Sequence, residues 1–101
     1  MTGKIYLIEC NNDGIITYKI GRTSRRVTER IKELDVASSG KLRVIFEYVS
    51  HNVSILEGTL HRQFNPCHIK GEWFSCDLNI EDFKSQCKIM DTAIEISKNT
   101  I

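Results

Sequence analysis

The chain has 101 residues, 41% hydrophobic and 27% charged, with 14 Lys and Arg against 13 Asp and Glu for a formal charge of +1. That length and apolar content suit a single domain, 1–101, with a modest core. No stretch approaches the ~20 apolar residues of a membrane span, and no apolar leader opens the chain, so the protein is expected to be intracellular, not secreted and not membrane-bound. Cys10, Cys67, Cys76 and Cys87 form no C-x-x-C pair and read as reduced thiols rather than a disulfide framework. The spacing of His61, Cys67, His68 and Cys76 matches no common zinc finger.

The first predicted element is a β-hairpin. Lys4–Cys10 and Ile15–Gly21 are β-rich runs, and Asn11-Asn12-Asp13-Gly14 between them is turn chemistry. A turn centred between Asn12 and Asp13 sets Cys10 opposite Ile15, Ile8 opposite Thr17 and Tyr6 opposite Lys19. One face then carries Ile5, Leu7, Tyr18 and Ile20 and reads as core. The other carries Lys4, Tyr6, Thr17 and Lys19, where a phenol beside an ammonium marks a candidate site. A one-residue slip would bury Lys19 and expose Ile20, so the apolar pattern supports this arrangement.

After Gly21 the period changes. Val27, Ile31 and Leu34 recur at helical spacing, with Thr23 or Ser24 as candidate N-cap, which predicts a helix from about Arg25 to Asp35. Residues 19–32 hold Lys19, Arg22, Arg25, Arg26, Arg30 and Lys32 against only Glu29, an excess that suits a polyanion. Taken alone, such a run more commonly reads as a solvated helix face.

Ala37–Gly40 reads as a loop, and the alternation of Leu42, Val44, Phe46 and Tyr48 as a third strand, which an isolated hairpin needs for stability. Ser50 or Asn52 can cap a helix with Val53, Leu56, Leu60 and Phe64 on one side, ending at Asn65-Pro66. Glu57 and His61, four apart, border that apolar stripe on one face. Gly71–Cys76 reads as a short extended segment closing the core. There Trp73 is a candidate for burial or for stacking on a base. Asn79 is the expected cap of a last helix, about 80–97, with Phe83, Cys87, Met90 and Ile94 inward. The fold class is therefore α/β in the α+β sense, a small three-stranded antiparallel sheet flanked by helices.

Several of these residues form an ordered set. Ile5-Tyr6, Lys19-Ile20-Gly21-Arg22-Thr23, Arg30, Glu57-x-x-Leu60-His61-x-x-Phe64 and Gly71-Glu72-Trp73-Phe74 together resemble the GIY-YIG nuclease superfamily. The resemblance is to its small branch of phages and large DNA viruses, whose second motif reads K-I-G-R-T. It covers residues 4–76 and leaves the C-terminal helix outside. Lys4 stands where the name-giving motif has Gly, Lys19 where many relatives have the second Tyr, and the late Asn of many relatives has no counterpart.

The resemblance implies a metal-dependent endonuclease acting on DNA, with Glu57 as ligand to Mg²⁺ or Mn²⁺. One carboxylate suffices, since Mg²⁺ keeps several waters and uses substrate phosphate oxygens. Arg30 suits a bidentate grip on a phosphate. The family's active-site Tyr, base or water-positioner, corresponds to Tyr6. A free Tyr has a pKa near ~10, and Lys19 beside it is expected to lower that value. His61 is the rival base. Arg22, Arg25, Arg26 and Lys32 are the expected nucleic-acid contacts. The alternative is a catalytically inactive nucleic-acid-binding module of the same fold. A homodimer or a targeting partner protein stays open, as does the choice between host cytoplasm and nucleus if the source is viral.

Overall fold

The computed structural model describes residues 2–37 and 40–99, so Ser38 and Ser39 of the expected loop lie outside the described residues. The hairpin strands are β1 (Gly3–Asn12) and β2 (Ile15–Thr23). Helix α1 (Val27–Ala37) is followed by β3 (Lys41–Ser50) and α2 (Val53–Gln63). After a 3₁₀ turn over Asn65–Cys67 come β4 (His68–Lys70), β5 (Trp73–Ser75) and α3 (Ile80–Lys98). The architecture is α+β, a sheet flanked by helices, but the antiparallel sheet has five strands in the order β3-β1-β2-β5-β4 rather than three. Strands β4 and β5 have three residues each, too short to leave an alternation readable in sequence.

The hairpin turn differs from the expected one by two residues of pairing. Asp13 (φ 57) and Gly14 (φ 86) both adopt positive φ, which defines a two-residue Asp-Gly loop, and Asn11 Oδ1 accepts from Gly14 N at 2.9 Å. The strands therefore run through to Asn12 and resume at Ile15. Tyr6 lies opposite Gly21, and Ile8 opposite Lys19. A shift of two preserves the faces, so Tyr6 and Lys19 still share one, diagonally rather than directly opposed.

Two layers cover the sheet. Beneath α2 and α3, Ile5, Leu7, Ile20, Leu56, Leu60, Phe74, Phe83 and Cys87 are completely buried, with Tyr18, Phe64 and Leu78 nearly so. Burial of a large apolar side chain is worth ~1.5–3 kcal/mol, so this cluster dominates the fold's stability. Asn79 caps α3 as expected, its side chain accepting from Asp82 N at 2.8 Å. Beneath α1 lies a smaller cluster of Tyr6, Ile8 and Val27, flanked by Ile31, Leu34, Leu42 and Val44. Thr23 does not cap α1 directly. Its hydroxyl accepts from Arg25 N at 3.0 Å, a turn that delays the helix to Val27. No helix among the described residues is long and apolar enough to cross a membrane.

Candidate active site

Where the end of β2, the start of α2 and the face of α1 converge, the surface opens into a cleft of about 610 Å³. Tyr6, Arg22, Arg30, Glu57 and Glu72 line it, together with His51, Asn52 and Lys98. Each is placed by its element. Arg22 extends from β2 just past Gly21, Arg30 from the second turn of α1, and Glu57 from the edge of α2 adjoining the buried Leu56 and Leu60.

Tyr6 is fully buried, and its ring lies flat against the backbone of Gly21. A Cβ at position 21 would overlap the Tyr6 ring and hydroxyl, so glycine is required there for close approach rather than for a turn. Arg30 Nε donates a long hydrogen bond, 3.5 Å, to the Tyr6 hydroxyl, and its Nη1 pairs with Glu33 Oε2 at 3.0 Å. Those two acceptors hold the guanidinium above its already high ordinary pKa. The expectation for the phenol is reversed. Burial pushes the Tyr6 pKa up, outweighing the hydrogen bond and charge of Arg30, and the negative charges of Glu72 and Glu57 push it further.

Lys19 does not serve Tyr6. It is 8% exposed, pairs with Glu72 Oε1 at 3.0 Å, and stands 5.4 Å from the centre of the Trp73 ring. The cause is the β2–β5 ladder, which sets Lys19 directly opposite Trp73 and brings Glu72 to the ammonium. The half-buried Trp73 thus supports a cation.

Glu57 Oε1 accepts from Arg22 Nε at 3.2 Å; the carboxylate side chain is 17% exposed and that of Arg22 is 50%. His61, one turn further along α2, lies outside the cleft. It sits edge-on to Phe74, and its Nε2–H donates to the Ile20 carbonyl at 3.0 Å. It lines a separate depression with Arg62, Asn65 and His68. Of the expected nucleic-acid contacts, Arg22 is at the cleft. Arg25 is exposed and tied to Glu33 at 2.7 Å; Arg26, just before α1, and Lys32 on it are exposed.

A Mg²⁺ or Mn²⁺ ion takes hard oxygen ligands. Among the described residues no group of three or more His, Cys, Asp or Glu gathers, so a cation in the cleft rests on few protein ligands. Glu57 fits that case. It is a hard carboxylate at a polar cleft, engaged by Arg22 through Oε1, beside cations able to bring in phosphate oxygens.

Three cleft residues carried no role in the sequence reading. Glu72 stood in a quoted motif, but its link to Lys19 depends on a strand pairing that sequence spacing does not encode. Lys98 arrives from the last helix, donating to Asn52 Oδ1 at 2.6 Å. His51 holds the Thr2 hydroxyl at 2.8 Å.

The T5orf172 domain profile matches residues 3–91. The chain belongs to the T5orf172 domain family. That is a phage-associated domain related to nuclease-type modules, compatible with a nuclease or DNA-binding role. The match reaches into α3, beyond the motifs quoted above. Neither a curated protein nor a solved structure matched the chain.

Proposed function

We propose that this T5orf172 domain is a metal-dependent endonuclease that hydrolyses phosphodiester bonds in DNA by a one-metal mechanism of GIY-YIG type. The observation carrying this reading is the convergence of Arg22, Arg30 and Glu57 from three separate elements on one cleft. A Mg²⁺ or Mn²⁺ ion held by Glu57 would supply Lewis-acid stabilisation of the charge developing on the phosphoryl and leaving oxygens. Arg30 presents a planar fork to a phosphate, a geometry that Lys lacks. Tyr6, buried beneath it, orients the guanidinium through Nε rather than acting as a phenolate base. Arg22 exchanges its pairing with Glu57 for a substrate phosphate, a rearrangement open to a half-exposed side chain. Arg26 and Lys32 add charge that tracks the backbone.

The test is nicking of supercoiled plasmid and of branched DNA by purified protein, in Mg²⁺ and then with EDTA. Wild type should nick only with the cation. Glu57→Gln should lose at least ~100-fold in rate, given that even outer-shell metal partners cost 10–100-fold. A folded Glu57→Gln protein that nicks like wild type would end the one-metal reading.

A second reading, a catalytically inactive DNA-binding module, is favoured by one observation: Arg22 already neutralises the candidate metal ligand. It predicts salt-sensitive DNA binding, weakened across all sequences by reversing charge at Arg26 and Lys32, with no cleavage under any divalent cation.

A further inference from the structure

The proposed hydrolysis uses one of the cleft's two carboxylates, and the other is the better anchored. Glu72 stands between β4 and β5, and its main-chain carbonyl accepts from Ile20 N at 3.0 Å, tying it to β2 just beside Lys19. Lys19 Nζ holds its Oε1 at 3.0 Å. That ammonium is almost fully buried and braced over Trp73, so it cannot swing away to water. Yet the Glu72 side chain is 40% exposed and lines the cleft with Tyr6, Arg30 and Glu57. A buried cation thus holds an accessible anion at a fixed place in the cleft.

We propose that Glu72 is the general base of the site, taking the proton of the attacking water, and that Lys19 is the residue that positions it. This rests on the nuclease reading above. Water oxygen forms the new bond to phosphorus while its proton passes to the Glu72 carboxylate. The bond from phosphorus to the leaving oxygen breaks with its electron pair on that oxygen, which takes a proton from solvent. Glu72 then returns its own proton to solvent, and no further reactant is consumed.

The alternatives are weaker on geometry. Tyr6 has no exposed surface, and its oxygen is engaged as the acceptor of Arg30 Nε. His61 is outside the cleft with Nε2–H committed to a carbonyl. His51 lines the cleft with its Nδ1 engaged by the Thr2 hydroxyl. Glu57 is committed to the cation and to Arg22.

The rival role for Glu72 is purely structural, neutralising a buried ammonium. Single-turnover nicking of supercoiled plasmid in Mg²⁺ by wild type, Glu72→Gln and the double variant Lys19→Met/Glu72→Gln separates the two. DNA affinity by fluorescence anisotropy in Ca²⁺ and melting temperature are followed alongside. A general base contributes ~100-fold or more, so Glu72→Gln should lose that much while binding DNA normally. The double variant, with no buried charge left unpaired, should fold at least as well and stay equally inactive. Recovery of nicking in the double variant would overturn the proposal, as would wild-type nicking by Glu72→Gln. Where Glu72→Gln alone fails to fold, the double variant decides. Absence of nicking by wild type in both Mg²⁺ and Mn²⁺ would remove the nuclease reading and this assignment together; nicking that survives loss of Glu72 removes this assignment only.

Discussion

The two faces of the sheet are built differently. Under α2 and α3, large side chains from β1, β2, β3, β5 and both helices interlock, including the edge-on pair Phe46–Phe83 and the tilted pair Phe64–Phe83. Under α1 the buried set is Tyr6, Ile8 and Val27, and the same face of β2 carries Gly21 and the nearly buried Lys19. The first face is apolar because it is packed between the sheet and two helices. The second is interrupted by a phenol, an ammonium and a bare glycine, each needing a specific partner: Arg30, Glu72 and the Tyr6 ring. Polar groups in thin packing add little stability. Their arrangement is explained by the cleft they adjoin.

The sharpest way to test that division is to damage the thick face. Phe83→Ala removes a completely buried ring touching Phe46 and Phe64, and should cost about 3–5 kcal/mol in urea unfolding. Nicking per folded molecule, measured well below the melting temperature, should stay near wild type. A matching loss of specific activity would mean that the two faces are not separable.

The apolar side was the legible one. Ile5, Leu7, Tyr18 and Ile20 alternate, and Leu56, Leu60 and Phe64 or Phe83 and Cys87 recur at helical spacing, because burial imposes a period on sequence. Even the misplaced turn did not disturb the faces, since a shift of two residues respects the pleat. On the polar side, Tyr6, Arg22, Arg30 and Glu57 reached one cleft as a motif, not as a period. What stayed hidden was partnership. Lys19 reads as a neighbour of Tyr6 until β5 takes the outer side of β2 and supplies Glu72. His61 lies four residues from Glu57, but its ring turns to the Ile20 carbonyl. Exposure was hidden too: burial of Tyr6 under α1 raises the pKa that its sequence neighbours suggested would fall.

On the thin face, Arg30→Lys should reduce nicking about 100-fold, the scale for losing one preorganised donor to a charged transition state. It should leave DNA affinity nearly unchanged, because the charge remains. Tyr6→Phe removes only the acceptor of Arg30 Nε and should cost nearer 10-fold. The order of the two losses is the informative result. A larger loss for Tyr6→Phe would show that the hydroxyl acts on water directly and not through Arg30.

Gly21→Ala probes the seam between the faces. The added Cβ would overlap Tyr6, whose ring is enclosed, so overpacking should destabilise the protein by about 1–3 kcal/mol. In a Tyr6→Ala background the same change should cost almost nothing further, and a double-mutant cycle on thermal unfolding measures that coupling. Equal costs in both backgrounds would place the constraint on the backbone rather than on the ring.

The smallest effect expected concerns a network on the α2/α3 side that reaches residues lining the cleft. Asp91 of α3 accepts from Tyr48 at 2.9 Å, Ser50 at 2.7 Å and Asn52 at 3.1 Å, and Asn52 in turn meets Lys98 on the cleft wall. Burial alone would raise the Asp91 pKa, but the hydrogen bonds from Ser50, Asn52 and Tyr48 hold it below the ordinary carboxylate value. A folded-state value below the unfolded one, ~3.9, means this contribution is complete above that pH. It is lost as pH falls through the lower folded value. Asp91→Asn keeps the shape and an acceptor oxygen, so it should cost only about 1 kcal/mol at neutral pH, and part of the decline in stability below pH ~4 should disappear. Unfolding followed from neutral pH into that acid range measures both. Specific nicking activity should be unchanged, because the network fixes α3 to β3 and to the start of α2 without reaching Glu57 or Arg30. Loss of nicking in a folded Asp91→Asn protein would instead assign α3 and Lys98 to the working cleft.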